Sequence, residues 1–152
     1  MRKARVTDVP EIARIVNFHA RKGVMLPRSV SSIYDNVRDY TVIEADGKII
    51  GCGALHVMWS DLAEIRAFAV DDGYVGRGYS RPIVESLLAE AETLGIEKVF
   101  VLTYKHDYFR HFGFTDIDKA ELPHKIWNDC INCVHFPDCD EVSMIRPVKK
   151  ET

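Results

Sequence analysis

The sequence predicts an α/β domain: a mixed, mainly antiparallel sheet flanked by helices. Three observations lead there. Two β-patterned runs, Tyr40 to Ala45 and Lys48 to Val57, meet across Asp46-Gly47, a two-residue turn suited to an antiparallel hairpin. A further strand-like run at 61–70 leads through a glycine turn into a helix-patterned segment and then a buried strand, which is a parallel crossover. The elements do not alternate regularly along the chain, which argues against a doubly wound dinucleotide-binding domain.

Each element has a local reason. Residues 2–6 read as a short first strand. Thr7-Asp8 can cap a helix that tolerates Pro10 in its first turn, buries Ile12, Ile15, Val16 and His19 at helical spacing, and stops at Gly23. Ser29 to Arg38 reads as a second short helix, opened by Ser29 or Ser31. After the hairpin and the 61–70 strand, Gly78 to Leu94 is amphipathic. It presents Ile83, Val84, Leu87, Leu88 and Ala91 on one face, with Pro82 harmless in the first turn and Gly95 at the end. Lys98 to Leu102 is a buried strand and His106 to Phe112 a short helix. Phe114 to Ile117 and Glu141 to Arg146 supply closing strands.

The 152 residues suffice for one domain over 1–152, with a cysteine-containing segment at 120–140. A net charge of −3 argues against a nucleic-acid partner. The N-terminus lacks the apolar stretch of a signal peptide, and no apolar run is long enough to span a bilayer. The expectation is a cytoplasmic protein with no membrane partner, whose four cysteines are reduced thiols or metal ligands.

The strongest motif is strand, glycine turn, helix. Asp61 to Val70 leads through Asp71-Asp72-Gly73-Tyr74 into Val75-Gly76-Arg77-Gly78-Tyr79-Ser80 and the amphipathic helix. Glycines let the backbone approach an anion, and the first free N–H groups of a helix point at it. The motif therefore suggests a phosphorylated cofactor. It is not Gly-x-Gly-x-x-Gly, and no Gly-Lys-Ser/Thr follows it as in a P-loop.

The element order together with Val75-Gly76-Arg77-Gly78-Tyr79-Ser80 resembles the GCN5-related N-acetyltransferases (GNAT). Their signature, Gln/Arg-x-x-Gly-x-Gly/Ala, opens the central helix; Gly78 matches its middle glycine, with Val75 and Ser80 at the flanking positions. Further stretches resemble the short bacterial N-acetylglutamate synthase-type members. They are Gly23 to Ser29, Gly51 to Leu55, Ala63-Glu64-Ile65-Arg66, Val101 to Tyr104, Phe112-Gly113-Phe114 and Leu122 to Cys130. The resemblance implies the GNAT acyl-CoA acyltransferase fold, acetyl-CoA as cosubstrate, and acetyl transfer to the amino group of L-glutamate, the first step toward arginine. The amino-acid-kinase-like domain of the long synthases has no counterpart here, so arginine feedback is not implied.

Carried over residue by residue, the resemblance places the pyrophosphate at Val75, Gly76, Arg77, Gly78, Tyr79 and Ser80. The acetyl-pantetheine arm then lies along the main chain of Phe68, Ala69 and Val70. Phe109 stands where many relatives carry a thiolate-protonating tyrosine. Tyr108 is expected to point elsewhere on its helix, and Tyr104 is another proton donor to weigh, although packing explains both tyrosines as simply. Strand alternation puts Glu64, Arg66, Phe68 and Val70 on one face. Glu64 is the first candidate general base; a surface ion pair with Arg66 or a lysine is the plain alternative.

A dicarboxylate acceptor demands cations. Arg28 matches the substrate-loop arginine, and Lys125, with His124 or Arg66 behind it, can hold the second carboxylate. Longer relatives carry an arginine–serine pair near the C-terminus, which Pro137-Asp138-Cys139-Asp140-Glu141-Val142-Ser143 does not reproduce. Cys52 is expected near the acceptor, its thiol packed and its backbone facing the cleft; a cysteine nucleophile would give an acetyl-enzyme. Cys130-x-x-Cys133-x-His135 followed by Cys139 can satisfy a structural zinc, although reduced thiols explain it as well. The expected partner is a small-molecule amine, with a homodimer left open. Acetylation of another amine, amino acid or protein N-terminus, and a non-catalytic acetyl-CoA sensor, remain alternatives.

Overall fold

A computed structural model describes residues 1–122 and 142–148. Among the described residues, seven strands form one sheet: β1 (Arg2–Lys3), β2 (Tyr40–Ala45), β3 (Lys48–Trp59), β4 (Leu62–Val70), β5 (Lys98–Thr103), β6 (Thr115–Asp116) and β7 (Val142–Pro147). The order is β1-β2-β3-β4-β5-β7-β6, and β4 with β5 is the parallel pair among antiparallel ones. The helices are α1 (Val9–Arg21), α2 (Val30–Asp35), α3 (Ser80–Thr93) and α4 (His106–Arg110). The mixed, mainly antiparallel sheet flanked by helices is the expected architecture.

One core lies between α3 and the sheet, built on Ile83, Val84, Leu87 and Ala91, as the amphipathic spacing predicts; Leu88 is only partly buried at its margin. A second lies under α1 and α2, with Val9, Ile12, Ile15, Val16 and Ile33 against Cys52 and Ala54, and a third joins Met58, Leu62, Phe100 and Leu122. Close approach of α3 to β3 depends on Gly53. A Cβ there would meet Ile83 Cγ2 at 2.9 Å and Leu87 Cδ1 at 3.0 Å.

Several boundaries differ from expectation for local reasons. The first strand covers only Arg2–Lys3, because a 3₁₀ turn over Val6–Asp8 runs directly into α1. Asp8 is therefore not a side-chain cap of α1. Its carboxylate accepts from the Arg5 N–H at 2.7 Å and from the Arg2 guanidinium at 2.7 and 3.0 Å. Ser29 caps α2 as expected, accepting from the Ser32 N–H at 3.0 Å. That helix ends early, where the Asn36 side chain donates to the Ser32 carbonyl, and Val37–Asp39 form a separate 3₁₀ turn. α3 begins at Ser80 rather than Gly78 because Gly78, at φ 85°, is still part of the turn.

The departure that matters most lies in β4. Cys52 pairs with Ala69 and Ala54 with Arg66, so three steps on β4 oppose two on β3. The extra residue is Ala67, at φ 50°. This β-bulge reverses the alternation. Ala63, Ile65, Phe68 and Val70 share the α3 side, whereas Ala67 and Ala69 join the α1 side. The expectation that Glu64, Arg66, Phe68 and Val70 share one face is thus incorrect. Glu64 and Arg66 lie on the face opposite Phe68 and Val70.

Candidate active site

β4 and β5 pair only from Leu62 opposite Lys98 to Ile65 opposite Val101. Beyond that point the strands separate, and the bulge bends β4 away. A cavity of about 340 Å³ fills the opening. Its walls are His19 of α1, β4 from Glu64 to Val70, the end of β5 with Lys105, the loop carrying Val24 to Leu26 and Arg28, the Tyr74 to Ser80 turn apart from Arg77, and Tyr108 and Phe109 of α4.

The bulged strand supplies a free edge. Asp71 donates to the Ile50 carbonyl at 2.7 Å, and Ala69 pairs with Cys52. Backbone groups alternate along an antiparallel strand, so those of Phe68 and Val70 point away from β3, into the cleft. The glycine turn completes that side. Gly76 and Gly78 adopt φ 81° and 85°, a region open to glycine at little steric cost, and α3 begins without a side-chain cap on its free N–H groups. Both features suit an anion.

Val75, Gly76, Gly78, Tyr79 and Ser80 line the cavity as the motif implies, as do Phe68, Ala69, Val70 and Phe109. Arg77 does not line it. Its guanidinium lies over the Tyr74 ring, 5.2 Å from the centroid, on a ring that also receives the Lys48 ammonium at 5.1 Å. Tyr74 in turn donates to the Asp46 carboxylate at 3.0 Å, tying the turn to the β2–β3 hairpin.

On the other wall, Glu64 is 6% exposed and its carboxylate accepts from Arg66 Nε in close contact. Arg66 Nη2 also reaches Met58 Sδ at 3.5 Å. Glu64, Arg66 and Arg28 all face the cavity. The Glu64–Arg66 pair weighed as a surface feature is therefore real but lies inside the cleft. Cys52 does not line the cavity, and its thiol is packed as expected. It is completely buried, its thiol donates to the Ala67 carbonyl at 3.4 Å, and burial pushes its pKa up to about 12. It braces the bulge from beneath, and a thiol held neutral is a poor nucleophile. Tyr104 follows β5, half-buried and away from the cavity lining.

Tyr108 corrects another expectation. Rather than pointing elsewhere, it lines the cleft, stacked on Phe68 at 6.0 Å between centroids, and donates to Ser80 Oγ at 2.6 Å. Burial raises its pKa, so the phenol keeps its proton at neutral pH. Lys105 is a third cavity cation, and one that sequence reading missed; its place two residues beyond β5 was the available signal. Asn17 and His19 of α1 were also missed as polar groups. The sequence showed them only as positions in an apolar-patterned helix, yet both bond to cleft segments. Lys125, His124, Cys130, Cys133, His135 and Cys139 lie outside the described residues. Among the described residues, no cluster of histidine, cysteine or acidic side chains could hold a metal, and no helix is long and apolar enough to cross a membrane.

Comparison with known proteins agrees with this geometry. The acetyltransferase (GNAT) family matches residues 17–114. An uncharacterised N-acetyltransferase of Chlorobaculum tepidum is 39% identical over 146 residues, covering 96% of this chain and 94% of that protein. An amino-acid acetyltransferase of Mycobacterium tuberculosis is 39% identical over 132 residues, covering 85% of this chain and 75% of that one. A Mycobacterium tuberculosis protein solved in complex with CoA superposes with a TM-score of 0.81 at 34% identity, over 96% of this chain and 97% of that one. The separated β4–β5 pair, with a glycine turn at its mouth, is thus found in a chain that belongs to the acetyltransferase (GNAT) family.

Proposed function

We propose that this protein transfers the acetyl group of acetyl-CoA to the α-amino group of L-glutamate by direct amine attack. One observation carries the reading: a single cleft joins a free strand edge and an uncapped helix N-terminus to a wall holding Glu64, Arg66 and Arg28. The first two suit an acyl-CoA; the third suits an acidic amine.

The residues fit the cosubstrate by their chemistry. The Phe68 amide and carbonyl and the Val70 amide are available along the cleft edge, and the Val75 to Ser80 turn offers main-chain N–H groups to phosphates. Acetyl-CoA supplies the activated thioester. The chain supplies orientation and proton transfer. Glu64 accepts the ammonium proton, directly or through one water, so that the nitrogen lone pair can attack the carbonyl carbon. Arg28, with Arg66 or Lys105, neutralises the acceptor's carboxylates. Tyr108, neutral and facing the cleft, is the better-placed phenol to protonate the departing sulfur as the carbon–sulfur bond breaks. Tyr104, half-buried beyond the cavity, is the alternative donor. The buried, neutral thiol of Cys52 favours direct transfer over an acetyl-enzyme.

The Mycobacterium tuberculosis relative's name, amino-acid acetyltransferase, supports an amino-acid acceptor. Glutamate rests on the paired cations and on the resemblance to N-acetylglutamate synthase-type proteins. That acceptor would place the enzyme in arginine biosynthesis, in the cytoplasm, as one domain over 1–152.

Two variants test the roles separately. Glu64→Gln should lower kcat by about 10²- to 10⁴-fold with acetyl-CoA binding kept. Arg28→Ala should raise the glutamate KM by about 10- to 100-fold and leave the acetyl-CoA KM unchanged. An unchanged kcat in the first, or equal loss for both ligands in the second, contradicts the assignment.

A further inference from the structure

Two polar side chains of α1 reach the two halves of the cleft. They stand two positions apart, about 200° around the helix at 3.6 residues per turn, so they project in different directions. Asn17 meets the acceptor loop. Its Nδ2 donates to the Arg28 carbonyl at 2.9 Å, and its Oδ1 accepts from the Arg28 N–H at 3.0 Å. One amide thus grips both backbone groups of one residue, as a neighbouring strand would. The next residue, Ser29, is fixed by capping α2. The Arg28 backbone is therefore anchored on both sides, while its side chain faces the cavity.

His19 meets the strand edge. Its Nε2 lies 2.6 Å from the Val70 carbonyl. A carbonyl can only accept, so Nε2 carries the hydrogen. The Val70 carbonyl is one of the groups that the bulged strand turns toward the cleft. His19 occupies it, leaving the Phe68 amide, the Phe68 carbonyl and the Val70 amide for a ligand. An edge-to-face contact with Phe18, 5.3 Å between centroids at 84°, steadies the ring.

We infer that Asn17 and His19 are positioning residues with separate duties. Asn17 sets the acceptor's carboxylate clamp through Arg28, and His19 sets the acyl-CoA edge through Val70. The inference rests on the acceptor and cosubstrate sides proposed above. It goes beyond them in assigning α1 as the part that aligns the two.

The test is a separation of effects, read by steady-state kinetics and by calorimetric titration with CoA. Asn17→Leu, close in shape but without either hydrogen bond, should raise the glutamate KM about tenfold and leave the CoA Kd within about twofold. His19→Phe should weaken CoA about tenfold with little change in the glutamate KM, and His19→Gln, which keeps a donor, should recover most of the loss. Asn17→Leu added to Arg28→Ala should raise the glutamate KM no further. Should Asn17→Leu or His19→Phe fail to fold, Asn17→Asp, which loses only the bond to the Arg28 carbonyl, and His19→Leu carry the comparison.

Variants that shift both ligands together, or neither, overturn the inference. If Arg28→Ala raises the glutamate KM but Asn17→Leu does not, the Asn17 duty fails alone. If Arg28→Ala itself has no effect, the acceptor reading and the Asn17 duty fail together, while the CoA titration still decides His19.

Discussion

At the scale of single residues, several side chains that matter are held by a backbone group rather than by another side chain. Cys52 donates to the Ala67 carbonyl, Asn17 to the Arg28 carbonyl, and His19 to the Val70 carbonyl. Sequence reading found Glu64, Arg66 and Arg28 because a charge in a recognised stretch is visible. It passed over Asn17 and His19 because their partners lie 11 and 51 residues away. Tyr108 was set aside for its place on α4, yet its hydroxyl reaches Ser80 across 28 residues.

Asp8 makes a prediction at this scale. Hydrogen bonding to the Arg2 guanidinium holds its carboxyl below the usual range despite its burial. A folded-state pKa below the unfolded value means the contribution to stability is present above the unfolded pKa. It is lost as pH falls through the folded one. Wild type should melt above Asp8→Asn at pH 7, and the gap should close as pH drops below about 4. A gap that does not narrow as pH falls from about 4 would show that the Asp8 charge is not what stabilises the segment.

At the scale of elements, the bulge in β4 is the decisive local structure. Strict alternation is what a sequence pattern offers, and Leu62-Ala63-Glu64-Ile65-Arg66-Ala67-Phe68-Ala69-Val70 gives no glycine or proline to mark an irregularity. Its faces were therefore misread after Arg66. The small side chain of Ala67 is the available trace, since bulky or β-branched residues are poorly suited to φ 50°. Ala67→Gly should fold with stability near wild type and keep activity. Ala67→Val should lose about 1–3 kcal/mol and weaken CoA binding by moving Phe68 and Val70. Denaturant unfolding and CoA titration check both, and a Val variant as stable as wild type would contradict the strained bulge. The hairpin, α1, α3 and β5 were legible because Asp46-Gly47, periodic apolar residues and a buried run leave local marks.

At the scale of the whole molecule, the sheet is continuous from β1 to β6 and opens where β4 and β5 part. A parallel pair joins β4 to β5 for only four residues a side, with the α3 core on one face and a cluster of Met58, Leu62, Phe100 and Leu122 on the other. The α3 core positions the glycine turn; the α1 core positions Arg28 and the β4 edge. The fold class was legible because hairpin and crossover sit in one chain without regular alternation. The cleft was not, because strand separation is a property of the sheet and of no single segment. It was found only through the resemblance carried by the motif.

The central claim is that this cleft moves acetyl from a thioester to the amine of an acidic amino acid. The direct measurement is CoA-thiol release from acetyl-CoA against a panel of amino acids, polyamines and N-terminal peptides, with the products identified by mass. N-acetylglutamate should be the dominant product, lost in Glu64→Gln. Release with another acceptor alone would contradict the glutamate assignment, and bound acetyl-CoA with no release on any member of the panel would contradict the small-amine transferase reading itself.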